Sequence, residues 1–152
     1  MGDPSYVGTV GDIAGLADAA HGAGVPLVVD AAWSAHFGFH PALPRHPLQL
    51  GADVMVTSAH KTLPAWSQAA LVLARTGRID PARLDAGVEA TVTTSPAGAI
   101  LASTDAARAL LRRDGEALLG DAIAALDQAR HAGVRIAYAA DPSLRTLRVV
   151  SG

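Results

Sequence analysis

Two short apolar runs, residues 26–30 and 53–57, constrain this chain more than any other feature of it. Leu27, Val28 and Val29 lead into Asp30, and Val54, Met55 and Val56 lead from Asp53 to Thr57. A strand with one wet face alternates apolar and polar residues, whereas a run that is apolar on both faces suits a strand buried in a parallel sheet. The segment between the runs carries Pro41, Pro44 and Pro47, so it reads as loop with one short helical turn near Leu48. Residues 68–74 supply a third strand candidate.

The rest of the pattern is helical. Ile13, Leu16, Ala17 and Ala20 recur at helical spacing, Asp12 can cap their start, and Gly22 and Gly24 punctuate the end. Asp80 followed by Pro81 has the form of an N-cap with proline at the first helical position. Two longer helices are predicted next, with Ile100, Leu101, Leu110 and Leu111 on the first apolar face. Leu119, Ile123 and Leu126 mark the second, which ends near residues 131–133. Residues 134–138 read as a further strand. Strands alternating with helices imply an α/β fold, a three-layer arrangement with a mainly parallel sheet flanked by helices.

Composition narrows the function. Half of the 152 residues are apolar and 17% are charged, which excludes a disordered chain and suits one globular domain. A net charge of −2 with scattered arginines lacks the basic footprint that phosphate backbones require, so a dedicated nucleic-acid binder is not expected. Without cysteine there are no disulfides, thiolate nucleophiles or cysteine-based metal centres. The apolar runs are too short to span a membrane and no signal peptide is visible, so a cytoplasmic protein is expected. The chain opens without a strand and stops just after the apolar run 147–150, as a piece of a longer domain would.

Ligands of an α/β sheet bind outside the carboxyl ends of its strands. Asp30 ends the first run, and Ser58, His60 and Lys61 follow the second. Lys61 is the only lysine, so any chemistry that needs a side-chain amine must use it. Taken singly, a carboxylate at a strand end is usually a capping residue and a lone lysine is usually solvated. Taken together, an amine and a carboxylate on consecutive strand ends suit pyridoxal phosphate. The amine can bond the cofactor's carbonyl, while the carboxylate keeps the ring nitrogen protonated. Ser58 and His60 are placed to reach the phosphate.

A metal site competes for the same region. His36, His40, His46 and His60, with Asp30, are potential ligands, and His36 and His40 would share a face if their segment were helical. The intervening Phe37, Gly38 and Phe39 and the following Pro41 argue against that helix. Trp33, Phe37, Phe39 and Trp66 have a plain reading as core aromatics beneath a loop.

The segment Val56-Thr-Ser58-Ala-His60-Lys61-Thr-Leu-Pro64-Ala-Trp-Ser67-Gln68-Ala69-Ala70 resembles the cofactor-attachment signature of the Orn/Lys/Arg decarboxylase family. Asp30-Ala-Ala-Trp-Ser-Ala-His36-Phe37-Gly38-Phe39-His40-Pro41 resembles that family's Asp-x-Ala segment, and residues 6–13 and 94–105 also look like family segments. The resemblance implies the large domain of a fold-type-I, aspartate aminotransferase-like enzyme with pyridoxal 5'-phosphate as cofactor. Residues 1–140 would be part of that domain and residues 141–152 the start of a C-terminal segment. Lys61 would carry the cofactor, Asp30 would pair with its ring nitrogen, Ala32 would pack on the ring face, and Ser58 and His60 would help hold the phosphate. The implied reaction is decarboxylation of a basic amino acid to its amine, by a homo-oligomer when complete.

Pro64 and Gly98 depart from the family pattern, the first at the turn after the lysine and the second where a tyrosine is expected. The family's upstream phosphate loop and the residue stacking on the cofactor's other face are not found in residues 1–152. Two other readings stand beside this one: a non-catalytic remnant or interaction fragment, and a histidine-metal hydrolase.

Overall fold

A computed structural model describes residues 2–5, 8–75 and 77–131. The order of elements is α1 (Ile13–Gly22), β1 (Val28–Asp30), a 3-10 turn (Pro47–Leu50), β2 (Val54–Thr57), α2 (Ala59–Thr62), β3 (Leu71–Ala74), α3 (Pro81–Glu89) and α4 (Gly98–His131). The expected strand at 134–138 and the boundary at 140 lie outside the described residues.

The sheet has the order β1-β2-β3. β1 and β2 run parallel, with Val29 opposite Met55 and Asp30 opposite Val56, and β3 returns antiparallel with Leu73 opposite Met55. Gly2 adds a parallel bridge to Asp30 at the other edge of β1.

Alternation along the strands sends Val29 and Met55 to one face. There they pack with Ile13 of α1, Ala31 and Ala52, and Leu27, Leu48, Leu50 and Leu73 close the cluster. The helix that supplies Ile13 starts as expected, because the Asp12 carboxylate accepts from the Gly15 amide at 3.0 Å. Gly51 ends the 3-10 turn at φ 104°, in the left-handed region, and a Cβ there would sit 2.9 Å from the Ala17 Cβ. Glycine is therefore needed twice over, for the backbone angle and for the approach of α1.

The opposite face is less covered than the sequence implies. Val28 is 47% exposed, Val56 38% and Val72 39%, so the burial on both faces expected for β1 and β2 is met fully on the α1 side only.

The two long helices predicted after residue 95 are one continuous helix, α4. Its buried residues are Ala107, Leu111, Gly115, Leu119, Ile123 and Leu126, a single stripe advancing by four and then three. Gly115 interrupts the apolar lettering without interrupting the helix, since its bare backbone lies against Phe39. Leu119 and Ile123 form a second cluster with Phe37 and Leu43. Leu101, expected on the apolar face, is 59% exposed, because the stripe passes through Ala107 and not through the first turn. Trp66 is likewise not a core aromatic and stands 64% exposed, whereas Phe37 is buried.

Candidate active site

The parallel register decides where the polar residues meet. Asp30 is paired with Val56, so the chain leaves β1 and β2 at neighbouring points on the carboxyl edge. Ser58 begins α2 in extended conformation and makes no capping bond with its side chain. His60 and Lys61 follow in that single turn. The turn stops at Thr62 because Leu63 is extended (ψ 159°), the conformation that a following proline, here Pro64, imposes. The departure at Pro64 thus shortens the element that carries the lysine.

The loop after β1 is tied to β2. The Ala31 amide donates to the Val56 carbonyl at 2.7 Å, and the Ala31 carbonyl accepts from the Thr57 hydroxyl at 2.8 Å. The same carbonyl accepts from the Ser34 amide at 3.0 Å and the Ser34 hydroxyl at 3.1 Å. Ala32 is half-buried in this turn, and its amide donates to the Asp30 Oδ1 at 3.1 Å. Asp30 itself is exposed, and Oδ2 has no donor among the described residues. Lys61 is exposed too, with its Nζ 4.7 Å from the centroid of the Trp33 ring.

His60 is fixed by the loop that follows it. Its Nδ1 pairs with the Ala69 carbonyl at 2.8 Å, which leaves one ring nitrogen to face a ligand. Thr62, beside the lysine, has a buried hydroxyl without a hydrogen-bond partner. An exposed amine, a carboxylate with one oxygen uncommitted, a hydroxyl at the head of a turn and an imidazole with one free nitrogen form a set of groups that fits pyridoxal phosphate. Lys61 would hold its carbonyl carbon, Asp30 its ring nitrogen, and Ser58 and His60 its phosphate.

Among the described residues the histidines do not assemble a metal site. No group of three or more His, Asp or Glu side chains gathers at metal-binding distance among the described residues. His36 is 2% exposed, neither ring nitrogen has a partner, and it meets Phe37 edge-on at 5.0 Å. Burial pushes its pKa down to about 4. The His40 Nδ1 accepts from the Ala42 amide at 3.0 Å, within a loop and not a helix. Desolvation lowers the pKa of His46 as well.

Two features were not anticipated from sequence. Trp33 reads as a core aromatic, yet it faces the candidate lysine; its place three residues after Asp30 was the available signal. Asp53, at the amino end of β2, is buried and accepts from the Leu27 amide at 2.8 Å. It also pairs with the His21 Nε2 at 2.8 Å and lies 3.7 Å from an Arg78 guanidinium nitrogen. Burial pushes its carboxyl pKa up, but the His21 and Leu27 hydrogen bonds and the charges of His21 and Arg78 together outweigh that and hold it below the usual carboxylate value.

The family model "Orn/Lys/Arg decarboxylase, major domain" matches residues 1–144. This chain belongs to that family. It is 36% identical over 128 residues to an arginine decarboxylase of Halalkalibacterium halodurans, an alignment covering 84% of this chain and 26% of the relative. An arginine decarboxylase of Bacillus subtilis is 33% identical over 128 residues, with the same two shares. The family member described here therefore spans about a quarter of the length of these curated relatives. Among solved structures, a cystathione gamma lyase from Micromonospora echinospora overlaps 73% of this chain and 27% of its own at 28% identity, with a TM-score of 0.47. An overlap of that size carries no part of the family assignment, which rests on sequence. No helix of the described residues is long and apolar enough to cross a membrane.

Proposed function

We propose that this chain is the cofactor-bearing part of a pyridoxal-phosphate-dependent decarboxylase of basic amino acids. The observation that carries the reading is the convergence of Asp30 and Lys61 on the carboxyl edge of two adjacent parallel strands. The name shared by the curated relatives favours arginine over lysine or ornithine as substrate. Residues 1–140 would be part of the large domain and residues 141–152 the start of the next segment, in a cytoplasmic homo-oligomer.

When bound, pyridoxal phosphate supplies an electron-accepting ring that stabilises the carbanion left by loss of carbon dioxide. The chain's own residues prepare for that chemistry. Lys61 presents the one ε-amine, exposed and anchored on a single turn. Asp30, steadied by the Ala32 amide, offers its uncommitted oxygen to a protonated ring nitrogen. That charge matters most when negative charge develops in the ring, so its effect falls on the chemical step and not on binding.

The test is borohydride reduction of the full chain in the presence of saturating pyridoxal phosphate, followed by peptide mapping. The adduct is expected on the peptide containing Lys61 and is expected to vanish in Lys61→Ala. An undiminished internal adduct in Lys61→Ala would overturn the assignment.

A further inference from the structure

We propose that the Trp33 ring is the seat of the Lys61 ammonium, which makes Trp33 a positioning residue for the attachment amine. The positioning role rests on the proposed function of Lys61; the seat itself rests on geometry alone. The Nζ of Lys61 lies 4.7 Å from the ring centroid, within the range at which an ammonium is attracted to an aromatic face. Tryptophan offers the strongest such face of the natural aromatic side chains.

The ring is not placed there by a mobile loop. Trp33 sits between Ala32, whose amide is bonded to Asp30, and Ser34, which is buried and doubly bonded to the Ala31 carbonyl. That carbonyl also takes the Thr57 hydroxyl, so the turn carrying the ring is fastened to the end of the strand that leads to Lys61. A lysine side chain has four rotatable bonds and, left exposed, samples many directions. A ring at fixed height over one direction selects it, and the selected direction lies beside the strand end that bears Asp30. The turn that orients the carboxylate therefore also orients the amine.

Because Lys61 is the only lysine, its reactivity can be followed without interference from other side chains. Labelling of the full chain by trinitrobenzenesulfonate near neutral pH is followed on the Lys61 peptide, so that the terminal amine is not counted. An ammonium held by the ring must leave it to react, so Trp33→Ala is expected to label about two- to fivefold faster than the parent chain. Trp33→Phe, which keeps an aromatic face, is expected to return most of the way to the parent rate. Equal rates for the parent and Trp33→Ala overturn the proposal, as do equal rates for the Ala and Phe variants.

Should Trp33→Ala fail to fold, the second measurement keeps the ring. In a Trp66→Phe background the emission of Trp33 is expected to shift in Lys61→Met and to stay in place in Lys61→Arg; an unchanged emission in Lys61→Met overturns the seat. Pyridoxal phosphate capture separates the two readings. Ring-dependent labelling in a chain that never captures the cofactor at Lys61 sinks the cofactor role and leaves the seat, whereas capture without ring dependence sinks the seat alone.

Discussion

Acid should loosen this fold through one side chain before its carboxylates are reached. His36 is 2% exposed, both ring nitrogens lack partners, and desolvation brings its pKa from 6.5 to about 4. The unfolded chain takes up this proton near pH 6.5 and the folded chain only near pH 4, so the unfolded state binds more protons across that interval. The stabilisation is fully present above the unfolded value and is lost as the pH falls toward the folded one. At 1.36 kcal/mol per pKa unit, the full loss comes to about 3 kcal/mol, with about 2 kcal/mol of it gone by roughly pH 4.5. The assay is urea unfolding of the full chain and of His36→Met at neutral pH and near pH 4.5. Methionine fills irregular apolar space and carries no proton in this range, so acid effects from every other group cancel in the difference. At neutral pH the two chains should differ little, since removing two unpartnered buried nitrogens offsets a change of shape. Near pH 4.5 the variant should be the more stable by about 2 kcal/mol relative to that baseline. Unfolding free energies that run parallel in the two chains across this range would refute the reasoning.

Asp53 and Asp30 should respond in opposite ways to the same substitution. Asp53→Asn removes the charge that faces His21 and Arg78 in a buried site and should cost on the order of 2 kcal/mol at neutral pH, read as a lower Tm. Because the folded carboxyl lies below its usual 3.8, that stabilisation is present above pH 3.8 and disappears as the pH falls through the folded value, so the gap between parent and variant should close there. Asp30→Asn keeps an oxygen for the Ala32 amide on an exposed side chain and should change stability by less than about 0.5 kcal/mol; a large drop in Tm would make Asp30 a strand cap. Two glycines divide in the same manner. Gly51→Ala should destabilise by more than about 1 kcal/mol, from the positive φ and the 2.9 Å approach to Ala17. Gly115→Ala meets its neighbours at 3.4 and 3.5 Å, ordinary contact, and should raise stability by up to about 1 kcal/mol through helix propensity.

What could be read from the sequence is what local chemistry controls. Asp12 before Ile13, and Asp80 before Pro81, cap helices where expected, because the capping carboxylate needs only amides two or three residues away. The runs at 26–30 and 53–57 became the parallel pair, and Pro47 opens the 3-10 turn foreseen near Leu48. The continuity of α4 was illegible because Ala107 and Gly115 occupy its buried stripe. Alanine is too common in this chain to mark a face by itself and glycine marks none, so the flanking leucines read as two separate blocks. Pairings far apart in sequence were equally hidden. Asp53 finds His21 across 32 positions, and nothing near either residue announces the other. Asp30 and Lys61 could be considered as a pair only because one ends a strand run and the other lies one short turn past the next, and the parallel register puts those strand ends side by side.

The sheet treats its acids differently at its two ends, and that difference leaves the carboxyl end the one open to a ligand. At the amino end Asp53 is buried, and its carboxylate is engaged by the Leu27 amide, His21 and Arg78, which fasten α1, the entry to β1 and β2 together. Both hydrogen bonds fall on one oxygen, the other faces Arg78 at 3.7 Å, and burial closes the group to a ligand. At the carboxyl end Asp30 takes one amide from its own turn and keeps an oxygen toward solvent, while Lys61, just past the end of the adjacent strand, is opposed by a ring and not by a carboxylate. An amine neutralised by an acid would have to break an ion pair before it could bond a carbonyl, and a carboxylate neutralised by that amine could not hold a pyridinium. Keeping the two charges apart, each fixed by the turn after β1, leaves both available to a third group that carries a carbonyl at one end and a basic nitrogen at the other.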